Sequence, residues 1–149
     1  MKLGFCTNSV RKLVAGIRYC IQESGGVDSG HIINVLAHSR GGLALHLALK
    51  HLAQEEKKML HIATFGSAKM ISSEGVGSVV NYVSKRDAIP FISDPLGHIK
   101  GLFSKNMNIK YLNSKGPYFI DHCFRGNTYK EVVDRLGRRF VNKYGSLQK

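Results

Sequence analysis

Three residues of this chain have the types and the chain order that a nucleophilic hydrolytic site requires. Ser39 lies within the hexapeptide Ala-His-Ser-Arg-Gly-Gly, and Asp87 and His122 follow it along the chain. A serine hydroxyl is a weak nucleophile at neutral pH, so it needs a histidine base and a carboxylate that fixes the tautomer of that histidine. Together these residues predict attack of a serine oxygen on an acyl carbon.

The segments on either side of Ser39 indicate a sharp turn from a strand into a helix. Residues 32–37 are short, mostly apolar and rich in β-branched side chains, which is typical of an inner parallel strand. Residues 41–54 are rich in alanine and leucine and predict a helix. A serine between such a strand and such a helix is typical of a nucleophile elbow.

Two further features of the turn fit that interpretation. Ala37 and Gly41 are small, and bulky side chains two positions before or after the serine are expected to collide with neighbouring backbone. The backbone N–H of Arg40, at the start of the helix, is the predicted oxyanion donor, supported by the positive end of the helix dipole.

Chain order and position select the acid and the base, with one alternative for each. Asp87 follows the predicted strand 79–83, where the acid is expected; Asp94 is the second candidate and could equally be a turn residue. His122 follows both aspartates in a loop before the last predicted helix and is the favoured base, with His98 as the fallback.

Other polar residues near these positions have less defined roles. His38, beside the serine, either contacts substrate or supports the turn. Asp121 is interpreted as a loop residue, because neighbouring side chains rarely face each other. The sequence has no HExxH or comparable metal-ligand spacing, so it predicts neither a metal nor another cofactor.

The predicted elements alternate between helix and strand. They are a helix at 8–23, strands at 32–37, 60–65, 79–83 and 108–112, a helix at 41–54, a loop at 66–77, and a last helix that runs to 144 from a capping box at 128–131. Strands separated by helical or long connections pair mostly in parallel. The predicted fold class is therefore α/β, a mostly parallel sheet of about four strands flanked by helices, in one domain over residues 1–149.

The composition of the chain indicates which cell compartment and which binding partners to expect. The three cysteines have no CxxC spacing and are expected to be reduced thiols. Neither a secretory apolar region nor a membrane-spanning run is present, so a cytoplasmic location is expected. The net charge of +12 would attract anionic lipid or nucleic acid, although scattered lysines and arginines usually form a solvated surface. No nucleic-acid recognition motif accompanies this charge, so nucleic acid is not an expected partner.

The segment 93–105 combines apolar and basic residues: Leu96, Ile99, Lys100, Leu102, Phe103 and Lys105. One interpretation is a flap that covers a site or makes peripheral contact with an anionic membrane. The other is an ordinary loop that packs these apolar residues inward.

With these residues located, the sequence resembles the lipase-like branch of the α/β-hydrolases, especially the class 3 lipase family. Residues 64–67 look like the end of that family's strand after the elbow helix, and residues 80–90 resemble its acid segment. His122, ahead of Phe124 and Tyr129, resembles its histidine loop. The resemblance implies a Ser39-Asp87-His122 triad in a serine esterase that acts on an acyl ester or lipid.

The chain also departs from that family. Ala37 stands where such families usually have glycine, and Arg40 replaces a small or apolar residue. Family members carry further strands, and the loop with a second oxyanion donor, before the helix predicted at 8–23. The resemblance thus implies the C-terminal part of a hydrolase domain, a truncated copy whose exposed sheet edge pairs with a partner chain or with itself. A catalytically inactive fragment or binding domain that needs such a partner is the alternative.

Overall fold

A parallel β-sheet forms the centre of the computed structural model, which describes residues 7–116 and 121–144. The strands are β1 (Ile33–His38), β2 (Leu60–Phe65), β3 (Ser78–Ser84) and β4 (Ile109–Leu112). The helices are α1 (Asn8–Glu23), α2 (Arg40–Ala48), α3 (Gln54–Lys58), α4 (Ala88–Ser93), α5 (Pro95–Phe103) and α6 (Asn127–Tyr144), with a 3₁₀ turn at Leu49–His51. The predicted α/β class with four parallel strands flanked by helices is confirmed.

The sheet follows the chain in the order β1-β2-β3-β4, and every neighbouring pair is parallel. In the register of the central strands, Leu36 lies opposite Ala63, and Ala63 lies opposite Val80. The carboxyl ends of parallel strands all lie at the same end of the sheet, which is where open α/β sheets place their functional loops. The segments after β1, β2, β3 and β4 therefore meet at the carboxyl end of the sheet.

Two apolar clusters hold helices against opposite faces of the sheet. On one face, α1 buries the helically spaced Val10, Val14, Ile17 and Ile21 against a cluster that includes Leu45 of α2 and Ile62 of β2. On the other face, Tyr129 and Val132 of α6 pack with Phe65 and Tyr82. The side-chain alternation of β2 explains this division, because Ile62 and Phe65 point to opposite faces.

The predicted inner strand is at the edge of the sheet that the structure describes, so that prediction was wrong. β1 pairs with β2, and the N–H groups of Ile33 and Ser39 donate to Met59 and Phe65 carbonyls at 2.9 and 3.1 Å. Alternate residues of a strand present their backbone groups to opposite sides. The backbone groups of Leu36 and the other even-numbered residues of β1 consequently face away from β2.

The helix predicted over 41–54 is broken, and its second half was wrong. α2 ends at Ala48, and after the 3₁₀ turn the backbone of Leu52 is extended, with φ −95° and ψ 144°. Leu49 and Leu52 are both buried. Burying both in the cluster under α1 stabilises a tighter turn there than a continuous helix would allow.

Two other local predictions also failed. The predicted capping box at 128–131 is absent, because α6 begins at Asn127 and the Thr128 hydroxyl instead accepts a hydrogen bond from the Lys115 N–H at 2.9 Å. The segment 93–105 is not an ordinary loop that packs its apolar residues inward, since α5 occupies most of it and exposes these residues. Among the described helices, none has the length and apolar character needed to cross a bilayer.

Candidate active site

Ser39 has a backbone conformation that is sparsely populated for a residue with a side chain. Its φ is 54° and its ψ is −125°, and it is the one non-glycine residue with positive φ in the described chain. Such a conformation costs about 1–3 kcal/mol and persists only where the surrounding structure enforces it. The predicted sharp turn between β1 and α2 is therefore present at Ser39.

Backbone hydrogen bonds hold this turn from both sides. The Ser39 N–H donates to the carbonyl of Phe65 at 3.1 Å, and its own carbonyl accepts from Gly42 at 3.1 Å and Ala68 at 3.0 Å. The strained residue is thus tied to β2, to α2 and to the segment after β2. This restraint fixes the direction of the Ser39 side chain.

The glycine requirement of the turn lies one residue further along than predicted. A Cβ on Gly41 would meet no atom within 4 Å, so this position has room for a methyl group. A Cβ on Gly42 would lie 1.8 Å from the Oγ of Ser67. Gly42 therefore allows the close approach of α2 to the segment after β2, while Ala37 is buried as the small residue before the turn.

The three predicted site residues form one chain of hydrogen bonds. The Oγ of Ser39 lies 2.7 Å from Nε2 of His122, and Nδ1 of His122 lies 2.8 Å from Oδ2 of Asp87. A carboxylate accepts hydrogen bonds only, so the His122 proton is on Nδ1 and its Nε2 is free to accept from the Ser39 hydroxyl. This arrangement orients the histidine as a base towards the serine.

Asp94 and His98, the second candidates for the acid and the base, contact residues other than Ser39. Asp94 caps α5 by accepting from the Gly97 N–H at 3.2 Å, and it also accepts from Lys69 Nζ at 2.7 Å. Burial opposes ionisation of Asp94, but its hydrogen bonds outweigh burial and hold its pKa below the ordinary value. His98 is buried and its Nδ1 lies 3.0 Å from the Tyr111 hydroxyl. The structure thus brings Asp87 and His122, and not these two residues, to Ser39.

Sequence reasoning missed Tyr129 as a partner of the site. Its hydroxyl donates to Oδ2 of Asp87 at 2.7 Å and accepts from the Ser84 N–H at 3.0 Å, and its side chain is fully buried. Burial raises the pKa of Tyr129, which keeps the hydroxyl protonated as a donor. The other oxygen of Asp87 accepts from the Ile89 N–H at 3.0 Å. Tyr129 therefore helps to fix the carboxylate that faces His122.

We expect Tyr129→Phe to lower the free energy of unfolding by about 2 kcal/mol, because it leaves a buried N–H and a buried carboxylate oxygen short of a partner. Urea denaturation of the two proteins measures this difference. Tyr111→Phe is the control. It also removes a tyrosine hydroxyl that is hydrogen-bonded, in this case to His98, but the Tyr111 side chain is half-exposed. Equal stability of wild type and Tyr129→Phe would contradict the assigned contacts.

His38 contacts the loop that carries the base. Its Nε2 lies 2.6 Å from the carbonyl oxygen of His122, and the two imidazole centroids are 4.8 Å apart. A carbonyl only accepts, so His38 carries a proton on Nε2. Burial lowers the pKa of His38, which favours its neutral form beside the second imidazole. The sequence left two roles open for His38, contact with substrate or structural support. The contacts of His38 with the His122 loop fit structural support.

Asp121 is more than a loop residue. Its buried Oδ2 accepts from the Ser84 hydroxyl at 2.5 Å and from the Thr128 hydroxyl at 2.7 Å. Burial opposes its ionisation, but these hydrogen bonds outweigh burial and hold the pKa of Asp121 below its ordinary value. The carboxylate points to β3 and α6 and not to the neighbouring imidazole, so it anchors the His122 loop.

The predicted oxyanion donor lies where the turn becomes helical. Arg40 is the first residue of α2, and the first N–H groups of a helix have no acceptor within that helix. Its side chain is exposed. The resemblance assigns a second donor to a loop ahead of α1, and the structure describes no residue before Thr7.

The surroundings of the site do not indicate a metal centre. In the parts of the chain that the structure describes, no group of three histidine, cysteine or acidic side chains is placed to bind a metal ion.

No family model, curated protein or solved structure matches this chain.

Proposed function

We propose that this chain is a serine hydrolase of the lipase or esterase type, which cleaves a carboxylic ester with Ser39, His122 and Asp87. The observation that carries the proposal is the unbroken series of hydrogen bonds from Ser39 through His122 to Asp87, at 2.7 and 2.8 Å. The strained turn at Ser39 supports it, since such turns accumulate at functional sites. The family we propose is the α/β-hydrolase superfamily, close to the class 3 lipases.

In the proposed reaction, Nε2 of His122 removes the Ser39 proton while Oγ attacks the ester carbonyl. The Arg40 N–H donates to the oxyanion, and the Asp87 carboxylate stabilises the imidazolium that forms. His122 then protonates the leaving alcohol. Water, activated by the same histidine, attacks the acyl-serine and releases the carboxylic acid.

Labelling with a soluble fluorophosphonate tests this function. We expect the full chain to form a covalent adduct that tandem mass spectrometry maps to Ser39, and Ser39→Ala to remain unlabelled. A short nitrophenyl ester assayed in parallel should be hydrolysed by the wild type alone. A folded wild-type protein that neither labels nor hydrolyses the ester would refute the proposal.

A binding domain that pairs with another chain is the second candidate, and β1 favours it. No described strand pairs with the outer edge of β1, and such an edge can accept a strand from another chain. Beside that edge, a groove of about 550 Å³ lies between the sheet and α6, with Leu36, Ala63 and Leu136 among its lining residues. A folded but unlabelled protein that self-associates or captures a strand along β1 would favour this candidate.

A further inference from the structure

The two helices after the candidate acid expose many large apolar side chains. We call residues 88–103, which comprise α4 and α5, the apolar helix pair. Their exposed fractions range from 39% at Phe91 to 85% at Phe103. The set consists of Ile89, Phe91, Ile92, Leu96, Ile99, Leu102 and Phe103. Soluble proteins rarely expose so many neighbouring apolar residues unless the surface binds something.

This exposure is fixed by contacts on the inner side of the helices. Asp94, between α4 and α5, accepts hydrogen bonds from the Met70 N–H at 2.8 Å and from Lys69 Nζ at 2.7 Å. His98 is buried, and its ring stacks on Phe91 with centroids 4.3 Å apart. Since Asp94 and His98 face inward, residues on the opposite side of α5 must face outward.

The exposed charged side chains within residues 88–112 all have one sign. From residue 88 to residue 112 the sequence contains one acidic residue, Asp94, and that carboxylate is buried and paired with Lys69. Lys100, Lys105 and Lys110 in the same stretch are exposed. This stretch therefore presents apolar side chains and lysines without an exposed carboxylate of its own, in a chain of net charge +12.

We propose that the apolar helix pair docks the protein onto an anionic phospholipid bilayer. Apolar side chains on interfacial helices insert at the boundary between head groups and acyl chains, while lysines attract anionic lipid. A bilayer satisfies both features without a pocket of matching shape. Asp87 is the N-cap of α4, so the candidate site lies at one end of the apolar helix pair. The inference rests on the proposed function for its substrate class, a lipid ester within the bilayer.

Vesicle sedimentation with the full-length Ser39→Ala chain tests the docking without lipid turnover. We expect binding to vesicles of mixed phosphatidylcholine and phosphatidylglycerol, and weaker binding to phosphatidylcholine alone or at high salt. The double variant Ile92→Glu and Phe103→Glu should weaken binding by at least about tenfold, because two apolar side chains no longer insert. Lys100→Gln and Lys105→Gln should each weaken binding to the anionic vesicles by about fivefold.

The matched control is Val141→Glu, which replaces a side chain that is 62% exposed on α6. It should bind vesicles as the parent does. Absence of binding by folded protein, or equal losses in Val141→Glu and the double variant, would overturn the docking proposal. The soluble fluorophosphonate reacts without vesicles, so failed labelling with intact docking would refute the hydrolase alone. A protein that the fluorophosphonate labels but that does not bind vesicles would refute the docking proposal alone.

Discussion

Asp87→Asn is expected to lower kcat for a short nitrophenyl ester by about 10⁴-fold, the loss that follows when a triad histidine takes the wrong tautomer. The carboxylate at this position accepts from Nδ1 of His122, from Tyr129 and from the Ile89 N–H. With one oxygen held by Ile89, the asparagine amide would turn its NH₂ group towards His122. The histidine would then carry its proton on Nε2 and could not accept from Ser39.

Asp94→Asn is the matched control for that experiment. Asp94 is also a buried aspartate that caps a helix, and its carboxylate contacts Lys69 and not the site histidine. This variant should lose stability and retain kcat in the folded fraction. A large loss of kcat in folded Asp94→Asn, with little loss in Asp87→Asn, would assign the acid to Asp94 and contradict the geometry.

Gly66→Ala is expected to lower kcat by about 100-fold, the scale of effect that follows a displacement of about 1 Å at reacting groups. Gly66 directly follows β2 with φ +52°, and a Cβ there would lie 2.4 Å from Oδ2 of Asp87 and 3.1 Å from Nδ1 of His122. The methyl group would therefore separate the acid from the base. The left-handed conformation adds a cost of about 1–2 kcal/mol for alanine.

Gly16→Ala is the control for Gly66→Ala. Gly16 lies within α1, and a Cβ there would meet no atom within 4 Å. Alanine should raise the stability of that helix by about 0.5–1 kcal/mol and leave ester turnover unchanged. Wild-type kcat in Gly66→Ala would show that the acid and base are not packed around this glycine as described.

The sequence predicted the nucleophile turn because the apolar pattern changes from strand to helix at Ser39. It could not choose firmly between Asp87 and Asp94, since both follow β3 and both cap short helices. Only the folded chain places His122, 35 residues beyond Asp87, against one of them. Tyr129 gave no separate signal, because a buried aromatic residue on a helix is usually core.

The apolar pattern of β1 did not show its edge position, although the family resemblance implied an exposed sheet edge. Apolar residues in a strand report burial of its faces by helices, and they do not report whether a further strand pairs with its backbone. The helical form of residues 88–103 was also hidden, because apolar residues there are not confined to one helical face. Pro90 and Pro95 interrupted the pattern further.

The placement of Tyr129 on the last helix has a consequence for the chain during its synthesis. Chains emerge from the ribosome N-terminus first, and their early segments begin to fold before the rest is made. β1, α2 and β2 can therefore form the turn at Ser39 while His122 and Tyr129 are still untranslated. The nascent protein would carry the Ser39 turn without His122, and the proposed ester cleavage would begin only after α6 leaves the exit tunnel and closes on Asp87.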